Sequence, residues 1–124
     1  EVSRFNKSIA GLDIKLPYFL PALHKAQQVF ALSNGAFDMT IMPLVNYWGF
    51  GPDKRILGDS TKIDSLKSLV GFEKVSIAEK KISKADPRTQ LDFGGIGQGY
   101  GADVIADFLK SKGIVNALVE LGGE

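Results

Sequence analysis

The 124-residue sequence has a nearly balanced charge, with 15 basic and 14 acidic residues and a formal net charge of +1. No basic stripe stands out, so we expect no nucleic-acid partner. The absence of cysteine excludes disulfides and thiolate metal ligands, and no apolar run approaches the length that spans a bilayer. The length suits one domain with a usable hydrophobic core.

The first strong pattern along the chain is a helical one. Apolar residues recur at helical spacing and predict a helix near residues 18–33, ended by Asn34 and Gly35. The stretch that follows, AFDMTIMPLVNYWGFGPDKR, is apolar and aromatic but contains prolines and glycines that break regular elements, Pro43 among them. We therefore predict a long irregular loop there, and such loops are often functional.

Shorter elements follow in the second half of the sequence, and each is bounded by glycine, proline or charged residues. They lie near residues 61–70 (a helix), 73–78 and 80–85 (a hairpin), 89–93 (a third strand), 98–112 (a helix) and 114–121 (an apolar strand). The predicted fold class is α+β, one domain over residues 1–124 with a mixed sheet and flanking helices. Lys80, Lys81 and Lys84 are expected on a solvated strand face.

Both ends of the sequence look cut. The chain starts at Glu1 without a methionine, and its last predicted strand runs directly into the glycines before Glu124. We expect the strand at 114–121 to expose an apolar edge, which would favour self-association through strand pairing, swapping or aggregation.

The sequence LDFGGIGQGYGAD, residues 91–103, contains five glycines directly before the predicted helix. Glycine accepts a positive φ and lets another group approach the backbone closely. A helix start also presents unpaired N–H groups and the positive end of the helix dipole. Together these features predict a site for an anionic ligand, often a phosphate.

One interpretation of the glycine turn is a dinucleotide-binding fold. Gly97, Gly99 and Ala102 match G-x-G-x-x-A, and Glu120 follows about 20 residues on, where a ribose-binding acid belongs. The strand before the turn is short and polar, unlike the buried strands of a parallel sheet. A Rossmann-like binder is therefore the weakest functional alternative.

Two loop aspartates, Asp38 and Asp92, have both a structural and a functional interpretation. Each could fix a turn through its side chain, which is the common role of loop aspartates, or accept hydrogen bonds from a ligand such as a flavin or a sugar. Spacing alone favours the structural role for Asp38 and leaves the role of Asp92 open.

Four blocks stand in order along the whole chain: SRFN, GAFDMTIMPLVNYWGFGP, LDFGGIGQGYGADVIADFLKSKGI and LVELGGE. In this combination the sequence resembles the ApbE family of flavin transferases, the FAD:protein FMN transferases. The resemblance implies enzymes that bind FAD and a divalent cation, usually magnesium. They transfer the FMN half to a threonine hydroxyl of a target protein and release AMP, and some instead hydrolyse FAD. Targets include subunits of membrane sodium-pumping redox complexes. Many members are periplasmic lipoproteins, so the resemblance suggests the periplasm or a membrane anchor, although the sequence itself does not determine the compartment.

The resemblance also assigns ligand positions within the loop and before the glycine turn. Ala36, Phe37 and Asp38 match the triplet that contacts FAD in the family, and Asp92 matches an aspartate that contacts FAD. Their functional role here is what the resemblance implies.

Further assignments fall on the glycine turn. Gly95 matches the position whose backbone carbonyl ligates the metal. Gln98 falls where the family carries Lys or Glu in contact with FAD, so the local charge differs here. Met42 replaces a residue that is usually glycine in the family.

The family continues beyond the final GGE with carboxylate and hydroxyl metal ligands and a histidine-bearing segment. A backbone carbonyl alone cannot hold magnesium. We therefore expect this chain to be a central portion of the enzyme, with little or no transferase activity of its own. The alternative is a non-catalytic flavin-binding or interaction module that retains the family core.

Overall fold

The computed structural model describes residues 1–13, 18–52, 60–78 and 81–123. Its backbone divides into two compact units, Glu1–Asp92 and Phe93–Glu124. The elements in chain order are α1 Val2–Lys7, β1 Gly11–Asp13, α2 Phe19–Leu32, α3 Met42–Tyr47, α4 Ile63–Lys67, β2 Val75–Ala78, β3 Lys81–Lys84 and α5 Gly97–Ser111. The predicted α+β class is confirmed, and none of the described helices has both the length and the apolar character needed to span a membrane.

The three described strands form one antiparallel sheet in the order β1-β3-β2. The predicted hairpin is confirmed, with β2 and β3 as its strands. β1 starts at Gly11, whose φ is 124° and whose missing Cβ would collide with the Ile82 carbonyl across the sheet, so only glycine fits there. Within the described ranges, parallel pairing is limited to an isolated bridge between Ile41 and Gln90.

The core of the first unit forms against one face of α2. Phe19, Ala22, Leu23 and Ala26 recur at helical spacing and are all buried, as an amphipathic helix requires. The helix predicted at 18–33 is therefore confirmed. It ends because Asn34 and Gly35, which follow the C-cap Ser33, adopt left-handed backbone conformations. The Gly35 N–H donates to the Phe30 carbonyl in the last helical turn.

The irregular loop predicted after residue 35 contains a helix, α3, and that part of the prediction is wrong. Pro43 lies in the first turn of α3, where the missing N–H would have had no helical partner. Proline therefore starts this helix instead of breaking it. Gly49, with φ 77°, follows its end.

Two other helical predictions also change. The block SRFN lies in α1, a helix that was not predicted, and places Phe5 in the core. The helix predicted at 61–70 is divided into a 3₁₀ turn at Ser60–Lys62 and the short α4.

Two predicted strands are not formed. Residues 114–121 are irregular, although their apolar side chains are exposed as expected, with Val115 and Leu118 at 80% and 93% exposure. Residues 89–93 contribute only the bridge at Gln90. Alternation and apolarity favour a strand, but a strand forms only where a neighbour accepts its hydrogen bonds, and the described residues offer none to 114–121.

These differences also exclude the Rossmann-like alternative. That fold needs a buried strand, a glycine turn, a helix and a second parallel strand. Here Gly97, Gly99 and Ala102 all lie inside α5, and the segment after the helix pairs with no strand among the described residues.

Lys84 departs from the predicted solvated strand face. Its side chain is buried, with 7% exposure, and its ammonium donates to the carbonyls of Asn6 at 3.2 Å and Thr89 at 3.0 Å. Lys81 is exposed as predicted, and Lys80 lies outside the described residues.

Candidate functional site

The first candidate segment, Ala36 to Asp38, leaves the end of α2 in a fixed backbone conformation. The Ser33 carbonyl accepts the Ala36 N–H at 3.1 Å, and the Ser33 hydroxyl accepts the Phe37 N–H at 3.0 Å. Ala36 is exposed and Phe37 half-buried. The predicted FAD-contacting triplet therefore lies at the surface on a backbone held by the helix end.

Asp38 fixes the next turn through one of its two carboxylate oxygens. Its Oδ1 accepts the Thr40 N–H at 2.8 Å and the Thr40 hydroxyl at 2.7 Å, an Asx-type turn. The Thr40 hydroxyl in turn accepts the Gly71 N–H at 2.7 Å, and Thr40 is fully buried. Oδ1 thus has the structural role that the spacing favoured. Among the described residues no hydrogen bond to Oδ2 is formed, and the residue is half-exposed.

The second predicted contact, Asp92, is hydrogen-bonded to the residue that follows Asp38. The Asp92 N–H donates to the Met39 carbonyl at 2.7 Å. Two residues earlier, Gln90 bridges to Ile41. The fold of the first unit therefore brings together two segments that lie more than fifty positions apart in the sequence.

The glycine turn opens α5 in the second unit. The N–H groups of Ile96 and Gly97 both donate to the Phe93 carbonyl, at 3.1 and 2.7 Å. The first turn of α5 contains no acidic residue, so nothing on this turn offsets the positive end of the helix dipole.

The glycines of this turn are not required for their φ angles. No glycine between residues 94 and 101 has a positive φ, so that part of the sequence interpretation is wrong. A Cβ added to Gly97 or Gly99 would meet no atom within 4 Å. The described residues therefore give no packing reason for glycine at these two positions.

The other two predicted positions in the turn are Gly95 and Gln98. Gly95 is exposed, and the acceptors that cap the turn are the Phe93 and Ile96 carbonyls, not its own. The exposed Gln98 side chain lies against Gly122, since a Cβ there would come within 2.7 Å of the Gln98 amide nitrogen.

A magnesium site is not complete within the described residues. Magnesium takes about six oxygen ligands in octahedral geometry, and the Gly95 carbonyl would supply one. In residues 1–13, 18–52, 60–78 and 81–123, no three His, Cys, Asp or Glu residues come together in a group that could hold a metal ion. The residues present therefore do not by themselves fit the metal.

Three residues that build this site were not singled out from the sequence: Ser33, Thr40 and Asn6. Ser33 and Thr40 hold the loop next to the predicted ligand triplet, and Asn6 bonds to the backbone just before Asp92. The only signal for the first two is a hydroxyl residue within four positions of the triplet. The sequence has no local signal for Asn6, because its partner lies 85 residues away.

Comparison with known proteins places this geometry in a family. The model of the ApbE family matches residues 1–124. The chain belongs to the ApbE family. The family recognised from the four sequence blocks is therefore confirmed.

Relatives of this ApbE-family chain carry the same name. The chain is 36% identical over 127 residues to the FAD:protein FMN transferase of Vibrio cholerae. This match covers 100% of this chain and 38% of that relative. It is 34% identical over 133 residues to the FAD:protein FMN transferase of Haemophilus influenzae, again with 100% and 38% coverage. The chain thus spans 38% of the length of these relatives.

Solved structures agree with the assignment. The flavin transferase ApbE from Vibrio cholerae has a TM-score of 0.90 and 35% identity to the chain, and the match covers 98% of this chain and 40% of that one. The apo flavinyl transferase ApbE of Pseudomonas stutzeri has a TM-score of 0.88 and 36% identity, with the same coverage.

Proposed function

We propose that this ApbE-family chain carries part of the FAD site of a magnesium-dependent FAD:protein FMN transferase. The substrate would be FAD, and the FMN half would pass to a threonine of a flavin-acceptor protein with release of AMP. The observation that carries the proposal is the 2.7 Å hydrogen bond between the Asp92 N–H and the Met39 carbonyl. It joins the two segments of the first unit to which the family resemblance assigns FAD contacts.

In this proposal the first unit recognises FAD through backbone groups and carboxylates. The Ala36–Asp38 backbone is already fixed by Ser33 and Thr40, so little conformational entropy is lost when a ligand binds it. The Oδ2 atom of Asp38 is the acceptor we assign to a donor group of the flavin or its sugar. Oδ1 is already used by Thr40 and keeps the carboxylate oriented.

For the second unit, considered by itself, we propose that the start of α5 binds phosphate. Cleavage of a pyrophosphate develops negative charge on phosphoryl oxygens, and oriented N–H groups at a helix start stabilise such charge. Open space around Gly97 and Gly99 supports close approach of a phosphate to this backbone. Gln98 is neutral, so it adds no charge of its own to the helix start.

Magnesium enters the proposal from the family, with the Gly95 carbonyl as one ligand. The described residues do not complete its coordination, so we assign the metal no step. For the same reason we expect the 124-residue chain alone to bind FAD weakly and to show little or no transfer. Removing even one stabilising group of this kind typically lowers the rate by about 10² to 10³.

The test is to incubate the purified chain with FAD and magnesium, with and without a threonine acceptor peptide, and to follow AMP by chromatography. In parallel, FAD binding is measured by fluorescence for the wild type, Asp38→Asn and Asp92→Ala. We expect both variants to weaken binding and His24→Ala, an exposed position on α2, to leave it unchanged. Binding that is equal in wild type, Asp38→Asn and Asp92→Ala would contradict the proposed site, and AMP release at an ordinary enzymatic rate would contradict the expected inactivity.

The second candidate function is a non-catalytic flavin-binding or interaction module. The incomplete metal site within the described residues favours it. The product of the whole reading frame in which this sequence lies separates the two functions. Magnesium-dependent release of AMP from FAD by that product supports the transferase, whereas FAD binding without AMP release supports the module.

A further inference from the structure

We propose that Asn6 and Lys84 are positioning residues that set the location of Asp92 in the FAD site. The inference rests on the proposed function, because it assumes that Asp92 contacts FAD. Neither side chain is assigned a ligand contact by the resemblance. Asn6 contacts the backbone of Leu91, and Lys84 contacts the carbonyl of Thr89, both in the segment that precedes Asp92.

Asn6 forms hydrogen bonds with both backbone polar groups of Leu91, the residue directly before Asp92. Its amide nitrogen donates to the Leu91 carbonyl at 2.9 Å, and its amide oxygen accepts the Leu91 N–H at 2.8 Å. A neighbouring strand would normally satisfy these groups, but the bridge at Gln90 is the only β-pairing that residues 89–93 make within the described part of the chain. Asn6 therefore replaces a strand partner at Leu91, which is 1% exposed.

Lys84 connects Asn6 and its pair of hydrogen bonds to Leu91, called here the clamp, to the sheet. From the end of β3 its ammonium donates to the carbonyls of Asn6 and Thr89, and it lies 5.1 Å from the centroid of the Phe5 ring. The Asn6 carbonyl belongs to the last turn of α1, where a cation is favoured by the helix dipole. One buried cation thus ties α1 and the segment before Asp92 to the same strand.

The chemistry of this anchor indicates a role beyond stability. Burial lowers the pKa of Lys84, and nearby Asp86 only partly offsets the effect, which means that the charged side chain loses solvation in the fold. An apolar side chain of similar length avoids that loss of solvation, but it leaves the carbonyls of Asn6 and Thr89 without this donor. What a methionine could not do is hold two specific carbonyls at fixed positions.

A chain of contacts then leads to the site. If the clamp is removed, the two buried backbone groups of Leu91 lose their partners, and unsatisfied buried groups favour movement of the segment. Asp92 would move with it, while Met39 stays with the Asp38 turn. The 2.7 Å hydrogen bond between Asp92 and Met39 would then weaken.

The experiment is a double-mutant cycle on FAD affinity with the purified chain. It compares wild type, Asn6→Ala, Asp92→Ala and the double variant by fluorescence titration. We expect Asn6→Ala to weaken FAD binding about tenfold in the wild-type background and hardly at all when Asp92 is already alanine, because contacting residues are non-additive. Asn6→Asp keeps the acceptor for the Leu91 N–H and should restore part of the affinity.

A second variant and a control separate positioning from general destabilisation. Lys84→Met should also weaken FAD binding while changing the urea midpoint less than Asn6→Ala does. Hydrogen exchange should show a less protected Asp92 amide in both variants, without any ligand. Ile82→Val, a core truncation in the same strand, lowers stability by about 0.5–1.5 kcal/mol and should leave the affinity unchanged.

The outcomes are distinguishable. If Asp92→Ala itself has no effect, or the wild type does not bind FAD, the proposed function fails and this inference fails with it. If Asp92→Ala weakens binding but Asn6→Ala acts equally in both backgrounds, the proposed function stands and the positioning role is wrong. An Asp92 amide that remains protected in Asn6→Ala or Lys84→Met also overturns the positioning role, whether or not FAD binds.

Discussion

Alanine substitutions in the glycine-rich start of α5 should change stability and FAD affinity in opposite directions. Gly97 and Gly99 lie inside the helix without positive φ, and a Cβ at either position meets nothing within 4 Å. Gly97→Ala and Gly99→Ala should therefore stabilise the chain. If a phosphate of FAD approaches this backbone, the same methyl groups should weaken FAD binding.

The magnitudes follow from the backbone conformation. A glycine in a helix is less stable than alanine by up to about 1 kcal/mol, and glycine-to-alanine changes at compatible angles typically stabilise by about 0.4–1 kcal/mol. The double variant should then gain about 1–2 kcal/mol in the free energy of unfolding. A methyl group forced into a ligand contact costs about 1–3 kcal/mol, so FAD affinity should fall by about 5-fold to 150-fold.

The assay combines urea unfolding, with linear extrapolation to water, and FAD titration by fluorescence for each variant. Gly113→Ala provides the matched control just beyond the other end of the helix. Gly113 has φ 81° and its Cβ would also meet nothing within 4 Å, so alanine there should destabilise by about 1–2 kcal/mol without weakening the intrinsic binding.

Two results would refute this reasoning. Alanines at 97 and 99 that stabilise the chain and bind FAD like the wild type would mean that no ligand approaches this backbone. Alanines that destabilise the chain would mean that the positions are not the unstrained, open helix sites described above.

Three further predictions concern stability and titration. Thr40→Val removes the fully buried hydroxyl that accepts the half-buried Gly71 N–H and should lower the free energy of unfolding by about 1–3 kcal/mol. Thr40→Ser keeps the hydroxyl and should cost less in the same urea experiment, and equal losses would contradict the role of the hydroxyl. The Arg88 guanidinium hydrogen-bonded to Asp86 lowers the pKa of that carboxyl to about 2, so Arg88→Ala should raise it toward 3.8 in an NMR titration, and an unchanged value would contradict this cause. Burial lowers the pKa of Lys84 below 10.5. Between the pKa of the folded chain and 10.5 the unfolded chain therefore binds more protons, and stability should rise with pH in that range. Lys84→Met should abolish that rise, and a slope that persists in the variant must come from another group.

The comparison with the sequence separates local information from long-range information. Periodicity alone predicted α2, α5 and the hairpin, because each depends on residues within a few positions of one another. The four ordered sequence blocks identify the family without tertiary structure. The Ala36–Asp38 triplet, Asp92, Gly95 and Gln98 were assigned from these blocks, and their contacts with FAD and metal remain predictions.

The tertiary structure decided what depends on distant partners. Segment 114–121 has the composition of a strand but forms none, because strand formation requires a neighbouring backbone that composition cannot reveal. Lys84 is buried rather than solvated because two carbonyls, one of them 78 positions away, accept hydrogen bonds from its ammonium group. Asn6 clamps Leu91 across 85 residues of sequence, and no local pattern encodes a pairing at that distance.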